Sequence, residues 1–191
     1  MKIILASKSE RRRKLLRDAG YQVTVVEPDA SEEIPKGERD PHKITILLAR
    51  RKAESVRKKA KKGIVLGADT VTFYNGEVIG KPSDENDAVR ILKKLSGTTH
   101  SVITGICIID AKTGKTLSGS VQTTVIMRNV SEEGILRYVK SGKYAGACGA
   151  YKLQEKDDPF VEQIRGSYTN VVGLPLELLT DMLGRFEKWK V

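Results

Sequence analysis

An acidic residue lies inside an apolar segment near the middle of the chain. Asp69 follows Gly67 and Ala68 within residues 64–73, a run rich in β-branched side chains that predicts a buried strand. Burying an ionised carboxylate is costly unless a cation or a metal ion compensates its charge. Asp69 is therefore a candidate metal ligand or general base, although a structural arginine would satisfy it as well.

Two lysines and an acidic segment are candidate partners for Asp69. Lys81 follows a predicted hairpin, and Lys52 lies on a predicted long helix that begins at Pro41. Residues 29–33 carry the acids Asp29, Glu32 and Glu33. Carboxylates beside Asp69 would form the oxygen-rich site that Mg²⁺ or Mn²⁺ prefers, with substrate phosphate completing the coordination. A solvated acidic loop and a surface lysine are the alternatives.

The segment LASKSERRRKLL, residues 5–16, combines a strand end, two serines and three successive arginines. If a helix begins there, its free N–H groups and the guanidinium groups converge on one point. This favours a polyphosphate site, while a capped amphipathic helix with a charged outer face is the alternative. The segment is not a P-loop, and the chain has no GxGxxG sequence.

Other catalytic classes lack support in the sequence. His42 and His100 lie near no zinc-binding pattern, and no GxSxG sequence suggests a serine hydrolase. The two cysteines have no disulfide or zinc spacing and are expected to be reduced. No secretory or membrane-spanning segment is predicted, so we expect a cytoplasmic protein without membrane partners.

The formal net charge is +10 and is concentrated in the first third of the chain. Residues 1–62 hold 18 Lys and Arg against 9 Asp and Glu, which indicates an anionic partner or a solvated basic face. Nucleic acid is a poor candidate for that partner because aromatic residues make up only 5% of the chain.

Strand and helix patterns alternate along the chain, with antiparallel pairs added. We therefore expect an α/β protein with a mixed, elongated β-sheet flanked by helices, in two lobes around a central cleft, with residues 1–191 as one domain. The predicted strands are 2–6, 21–26, 64–73, a short return strand through Ile79, 99–111 and 116–127. The predicted helices are 10–19, one from Pro41, 84–95, one capped by Ser131 to Lys140, and 175–189.

Six segments together resemble the Maf family of nucleotide pyrophosphatases and cover nearly the whole chain. They are LASKSERRRKLL, GADTV, GKPSDENDA, LSGTTHSVITG, GAYKLQ and FVEQIRGSYTNVVGLPL. The resemblance implies hydrolysis of nucleoside triphosphates at the α-phosphate with Mg²⁺, Mn²⁺ or Co²⁺, in a cleft of a homodimer.

The resemblance also implies roles for individual residues. It assigns catalysis to Asp69, Glu32, Lys52 and Lys81, substrate binding to Ser7, Arg11, Arg12, Thr70 and Gln154, and metal binding to Asp69 with Glu32 or its neighbour Glu33. Thr70 matches the branch of the family that acts on dTTP and UTP. Cys148 and Lys152 are similar to the branch that prefers 7-methyl-GTP, which is an alternative, as is a non-catalytic nucleotide-binding regulator of cell division.

Three features depart from the family pattern, at four positions. Glu10 stands where proline is usual, which puts a negative charge beside the arginines and is expected to weaken the phosphate site. Gly146 and Ala147 replace an Asp-Lys pair, and Glu155 replaces a glycine after Gln154.

Overall fold

Strands and helices alternate in the computed structural model, which describes residues 2–153 and 159–188. The strands are β1 (Lys2–Ala6), β2 (Gln22–Val26), β3 (Ile64–Tyr74), β4 (Glu77–Ile79), β5 (Thr99–Asp110), β6 (Thr116–Met127) and β7 (Val161–Arg165). The helices are α1 (Glu10–Asp18), α2 (Pro41–Arg57), α3 (Glu85–Leu95), α4 (Glu132–Lys140), α5 (Tyr168–Val172) and α6 (Leu176–Lys188).

The strands form one mixed sheet in the order β2-β1-β3-β5-β6-β7, with β4 paired to β3. The pairs that involve β1 are parallel, and the other pairs are antiparallel. Helices pack against this sheet, so the prediction of an α/β protein with a mixed sheet flanked by helices is confirmed.

One edge of β3 has a gap where two partner strands end. β1 pairs with β3 only as far as Gly67, and β4 pairs with it only from Thr72 onward. Both β1 and β4 run toward residues 68–71, which have no strand beside them on this edge in the described part of the chain. The segments that follow the two strands therefore enter the same gap, which is where open α/β sheets bind ligands.

Apolar clusters lie on both sides of this gap. Ile106 and Ile108 of β5 belong to a cluster with α1 and α6, whereas Val102 of the same strand packs in a cluster with α3 and α4. The gap therefore lies between two packed regions, as the two-lobe prediction requires. The assignment of residues 1–191 to a single domain stays a prediction.

Two glycines allow α2 to lie unusually close to the sheet. A Cβ atom at Gly67 would lie 2.1 Å from the carbonyl oxygen of Ala49, and one at Gly105 would lie 2.4 Å from the carbonyl carbon of Thr45. Backbone therefore rests directly on backbone at both positions. This close packing fixes the height of α2 above the centre of β3.

Gly105→Ala is expected to lower the free energy of unfolding by about 3 kcal/mol, the upper range for overpacking a tight core. The reason is that the neighbouring atoms belong to the α2 backbone and cannot turn aside as a flexible side chain would. Urea unfolding measures the effect. Gly184→Ala on α6 is the matched control, because no atom lies within 4 Å of its added methyl group. Equal stability of the two variants would contradict the close packing.

Two short elements near the C-terminus were not predicted. β7 and α5 have five residues each, too few for their periodicity to separate them from loops. The predicted end of the last helix at Trp189 lies outside the described residues. Among the helices of the described part, none has the length and apolar character needed to cross a bilayer.

Candidate functional site

The gap beside β3 opens into a cavity of about 750 Å³. Its walls come from the segments after β1 and β4, from α2, from residues 145–153 and from the end of α5. The predicted site residues in its lining are Ser7, Arg11, Arg12, Glu32, Lys52, Asp69, Thr70 and Lys81. Glu33 is outside this lining, and Gln154 lies outside the described residues.

Lys52 joins two of the carboxylates that line the cavity. Its ammonium nitrogen lies 2.6 Å from Oδ1 of Asp69 and 2.6 Å from Oε1 of Glu32. Lys52 and Asp69 are 6% and 9% exposed, whereas the Glu32 side chain remains largely open to solvent. The buried acid that the sequence indicated is thus paired with the lysine of the close-packed helix. Lys81 also lines the cavity, but the direct partner of Asp69 is Lys52.

The Glu32 carboxylate is expected to be ionised at neutral pH, since it forms an ion pair with Lys52. The hydrogen bond from Lys52 lowers the pKa of Glu32, and the charges of Lys52, Lys81 and Arg12 act in the same direction. The Glu32 carboxylate therefore stays charged while it faces the cavity.

The carboxylate oxygens of Asp69 and Glu32 are of the ligand type that Mg²⁺ and Mn²⁺ prefer. Mg²⁺ commonly binds through one or two carboxylates and completes its coordination with substrate phosphates and water. The described residues contain no group of three or more His, Cys, Asp or Glu arranged to hold a metal. A cation at this place would therefore share its coordination with the substrate.

Arg12 is held by three acceptors from different parts of the chain. Its Nε donates to the carbonyl oxygen of Gly173 at 2.7 Å, Nη2 to Oγ1 of Thr70 at 2.9 Å and Nη1 to Oγ of Ser7 at 3.3 Å. Burial lowers the pKa of Arg12, and the nearby charge of Asp69 opposes this shift. Arg12 is thus a fixed guanidinium at the cavity wall, close enough to Asp69 for their charges to interact.

Arg11 contacts a different wall of the cavity. Its Nη2 donates to the carbonyl oxygen of Gly146 at 3.0 Å, one of the positions that depart from the family pattern. Glu10 also lines the cavity, and it forms an ion pair with Arg13. The negative charge of Glu10 is therefore partly compensated, and its expected weakening of the phosphate site stays a prediction. Ser9 caps α1.

The segment that carries Cys148 is pinned to the strands around the gap. The Cys148 thiol donates to the carbonyl oxygen of Thr70 at 2.8 Å. The N–H of Gly149 donates to the carbonyl oxygen of Gly80 at 3.1 Å. Burial raises the pKa of Cys148 to about 11, so the thiol is protonated and is not a nucleophile. Gly149 has a φ of 72°, a conformation that favours glycine.

Apolar and aromatic side chains also line the cavity. Val102, Tyr151, Leu153 and Val171 are in its lining. The hydroxyl group of Tyr151 lies 2.8 Å from Nε2 of His100, which is buried behind it. Burial lowers the pKa of His100 to about 4, so this imidazole is neutral at pH 7. The cavity lining thus combines apolar side chains with the charged groups described above.

Several residues that form hydrogen bonds with Arg11, Arg12 or Thr70 were not predicted from the sequence. The carbonyl groups of Gly146 and Gly173 accept hydrogen bonds from the arginines, but backbone acceptors leave no mark in residue types. Thr104 and Asn170 connect to Thr70 from inside the protein. Their polar side chains within apolar runs were a signal that could have drawn attention to them.

Comparison with known proteins identifies relatives across almost the entire chain. The family described as Maf-like protein matches residues 2–186. A dTTP/UTP pyrophosphatase of Dictyoglomus turgidum is 43% identical over 184 residues, which cover 96% of this chain and 95% of the relative. A protein of the same description from Pelotomaculum thermopropionicum is 41% identical, with 96% of each chain covered.

Solved structures show a more distant likeness. The Staphylococcus aureus Ham1 protein is 19% identical, with a TM-score of 0.46 over 68% of this chain and 73% of that protein. A likeness of this size carries no information about the reaction.

Proposed function

Because the chain belongs to the Maf-like protein family, we propose that it is a nucleoside triphosphate pyrophosphatase that hydrolyses dTTP and UTP to the monophosphate and pyrophosphate. The observation that carries this proposal is the Asp69–Lys52–Glu32 ion-pair cluster, which faces the same cavity as Arg11, Arg12 and Lys81. Carboxylates that can orient or deprotonate a water molecule and cations that can bind a polyphosphate thus line one cavity.

In this proposal the cations bind the part of the substrate that leaves. A water oxygen attacks the α-phosphorus, the bond from that phosphorus to the bridging oxygen breaks, and pyrophosphate departs with the bond's electrons. Arg12 and Arg11 offer guanidinium donors to phosphate oxygens, and Lys81 adds a further positive charge. Fixed donors of this kind stabilise developing charge without reorganising during the reaction.

The carboxylates act on the water molecule. Asp69 or Glu32 accepts a proton from it or orients it toward phosphorus, as a general base does. Lys52 keeps the two carboxylates in place and prevents their mutual repulsion. A divalent cation held by these acids and the substrate would supply charge neutralisation of the phosphates.

Two alternatives concern the base and the role of the cavity. Cys148 and Lys152, the residues similar to the 7-methyl-GTP branch, are in the cavity lining. 7-methyl-GTP therefore stays an alternative substrate. A regulator of cell division would bind a triphosphate in the same cavity without consuming it. The homodimer that the resemblance implies, and the cytoplasmic location expected from the sequence, are part of the proposal.

The test is the release of products from dTTP, UTP and 7-methyl-GTP with Mg²⁺, Mn²⁺ or Co²⁺. We expect equal amounts of monophosphate and pyrophosphate from dTTP and UTP, and loss of activity when EDTA removes the metal. Chromatography of the nucleotides and a coupled pyrophosphate assay measure both products. A clear preference for 7-methyl-GTP would overturn the proposed dTTP and UTP specificity. Binding of a triphosphate without turnover would overturn the proposal that the protein is an enzyme.

A further inference from the structure

Two threonines face each other across β3 and β5 beside the cavity. Thr70 and Thr104 are directly opposite in the antiparallel register, and their Oγ1 atoms lie 2.9 Å apart. Thr104 is 0% exposed and is not in the cavity lining. Its hydroxyl group also lies 3.0 Å from the carbonyl oxygen of Asn170. These contacts form a chain of hydrogen bonds from Arg12 at the cavity to the protein interior.

The chemistry of the two ends fixes the direction of this chain. A guanidinium group can only donate, so Oγ1 of Thr70 accepts from Arg12. A carbonyl oxygen can only accept, so the single hydroxyl proton of Thr104 goes to Asn170. Thr70 must then donate to Thr104. The Thr70 proton therefore points into the sheet, and its oxygen is presented to the guanidinium.

The inner end of the chain is rigidly held. The Asn170 side chain is 0% exposed and donates through Nδ2 to the carbonyl oxygen of Val102 at 3.0 Å and to Oγ1 of Thr123 at 2.9 Å. Asn170 belongs to α5, and Gly173 at the end of this helix accepts from Nε of Arg12. α5 thus contacts the Arg12 guanidinium in two ways. Gly173 at its end accepts directly from Arg12, and Asn170 is connected to Arg12 through Thr104 and Thr70.

We infer that Thr104 is a positioning residue for Arg12, which it orients through Thr70, and this inference rests on the proposed function. Without the acceptor at Thr104, the Thr70 hydroxyl can rotate and present its proton to the guanidinium, which has no lone pair to accept it. Arg12 then loses one of three acceptors and its fixed orientation toward the phosphates. Thr70 contributes by its oxygen and its orientation, not by donating a proton to the nucleobase.

Thr104→Val tests this directly, because valine keeps the shape of threonine and removes the hydroxyl group. We expect the Kd for inorganic tripolyphosphate to rise about tenfold, which corresponds to about 1.4 kcal/mol, and kcat/KM for dTTP to fall by a similar factor. Thr104→Ser, which keeps the hydroxyl group, is expected to bind and react like the parent protein. Calorimetry measures binding and a coupled pyrophosphate assay measures turnover.

Thr72→Val is the matched control. Thr72 is on the same strand as Thr70 and is 0% exposed, and its Oγ1 has no hydrogen-bond partner among the described residues. We expect unchanged tripolyphosphate binding for this variant, because the same substitution removes no hydrogen bond. If Thr104→Val fails to fold, Thr104→Ala compared with Thr104→Ser removes the same hydroxyl group and makes the same test.

The outcomes separate this inference from the proposed function. Parent-like tripolyphosphate binding by Thr104→Val would overturn the positioning role, whether or not dTTP is hydrolysed. Equal losses in Thr104→Ser and Thr104→Val would overturn it too, because packing alone would then explain the effect. Selective loss of tripolyphosphate binding, in a parent protein that does not hydrolyse dTTP, would support the positioning role and reject the proposed reaction.

Discussion

Asp69→Asn is expected to reduce kcat for dTTP and UTP by about a thousandfold, within the range for loss of a general base. Asparagine has nearly the same shape, but it can neither accept the proton of the attacking water nor bring a negative charge to a metal ion. Glu32 continues to pair with Lys52, so the buried ammonium keeps one partner. We therefore expect the variant to fold, and circular dichroism with thermal unfolding checks this.

The control for this variant is Asp87→Asn at the surface. Asp87 also pairs with a cation, since its Oδ1 lies 2.6 Å from Nη2 of Arg90, but it is outside the cavity lining. The Asp87→Asn variant should hydrolyse dTTP and UTP at the rate of the parent protein. Turnover by Asp69→Asn close to that of the parent protein would reject the role of Asp69.

Arg12→Lys is expected to lower kcat/KM for dTTP by about a hundredfold, the scale of losing one fixed charge-stabilising group. The charge is kept, but a single ammonium cannot reach Gly173, Thr70 and Ser7 with the geometry of the planar guanidinium. Steady-state kinetics and the Kd for tripolyphosphate measure the loss.

Arg13→Lys is the comparison for Arg12→Lys because the two arginines are adjacent in α1. Arg13 pairs with Glu10 and is not in the cavity lining, so the same substitution should change kcat/KM by less than about twofold. Similar losses in both variants would mean that general basicity of the helix, not the orientation of Arg12, determines phosphate binding.

The sequence predicted the central strand and its surroundings well because their signals are local. The β-branched run around Asp69 and the Asn75-Gly76 turn define β3 and the hairpin to β4 by residue type alone. Ser9 and the arginines likewise predict the start of α1. A buried acid within such a strand was enough to predict a candidate site there, and the structure places Asp69 in the cavity lining.

The pairing within the site could not be predicted in the same way. Lys81 and Lys52 were both candidates, and the direct contact of Lys52 with Asp69 depends on how closely α2 packs on Gly67 and Gly105. That distance is a property of the tertiary structure. Glu32 and Glu33 are adjacent in sequence, and only the course of the loop brings Glu32 alone into the cavity lining.

The contacts behind Arg12 could not be predicted from the sequence either. α5 is too short for helical periodicity, and the partners of Thr104 are 34 and 66 residues away. Such contacts arise only when β3, β5 and α5 meet.

Hydrolysis of dTTP in ¹⁸O-labelled water tests the central claim most directly. If water attacks the α-phosphorus while the cations hold the departing pyrophosphate, mass spectrometry should find one ¹⁸O atom in dTMP and none in pyrophosphate. Label in pyrophosphate, or release of orthophosphate in place of pyrophosphate, would place the attack on another phosphorus and contradict the account.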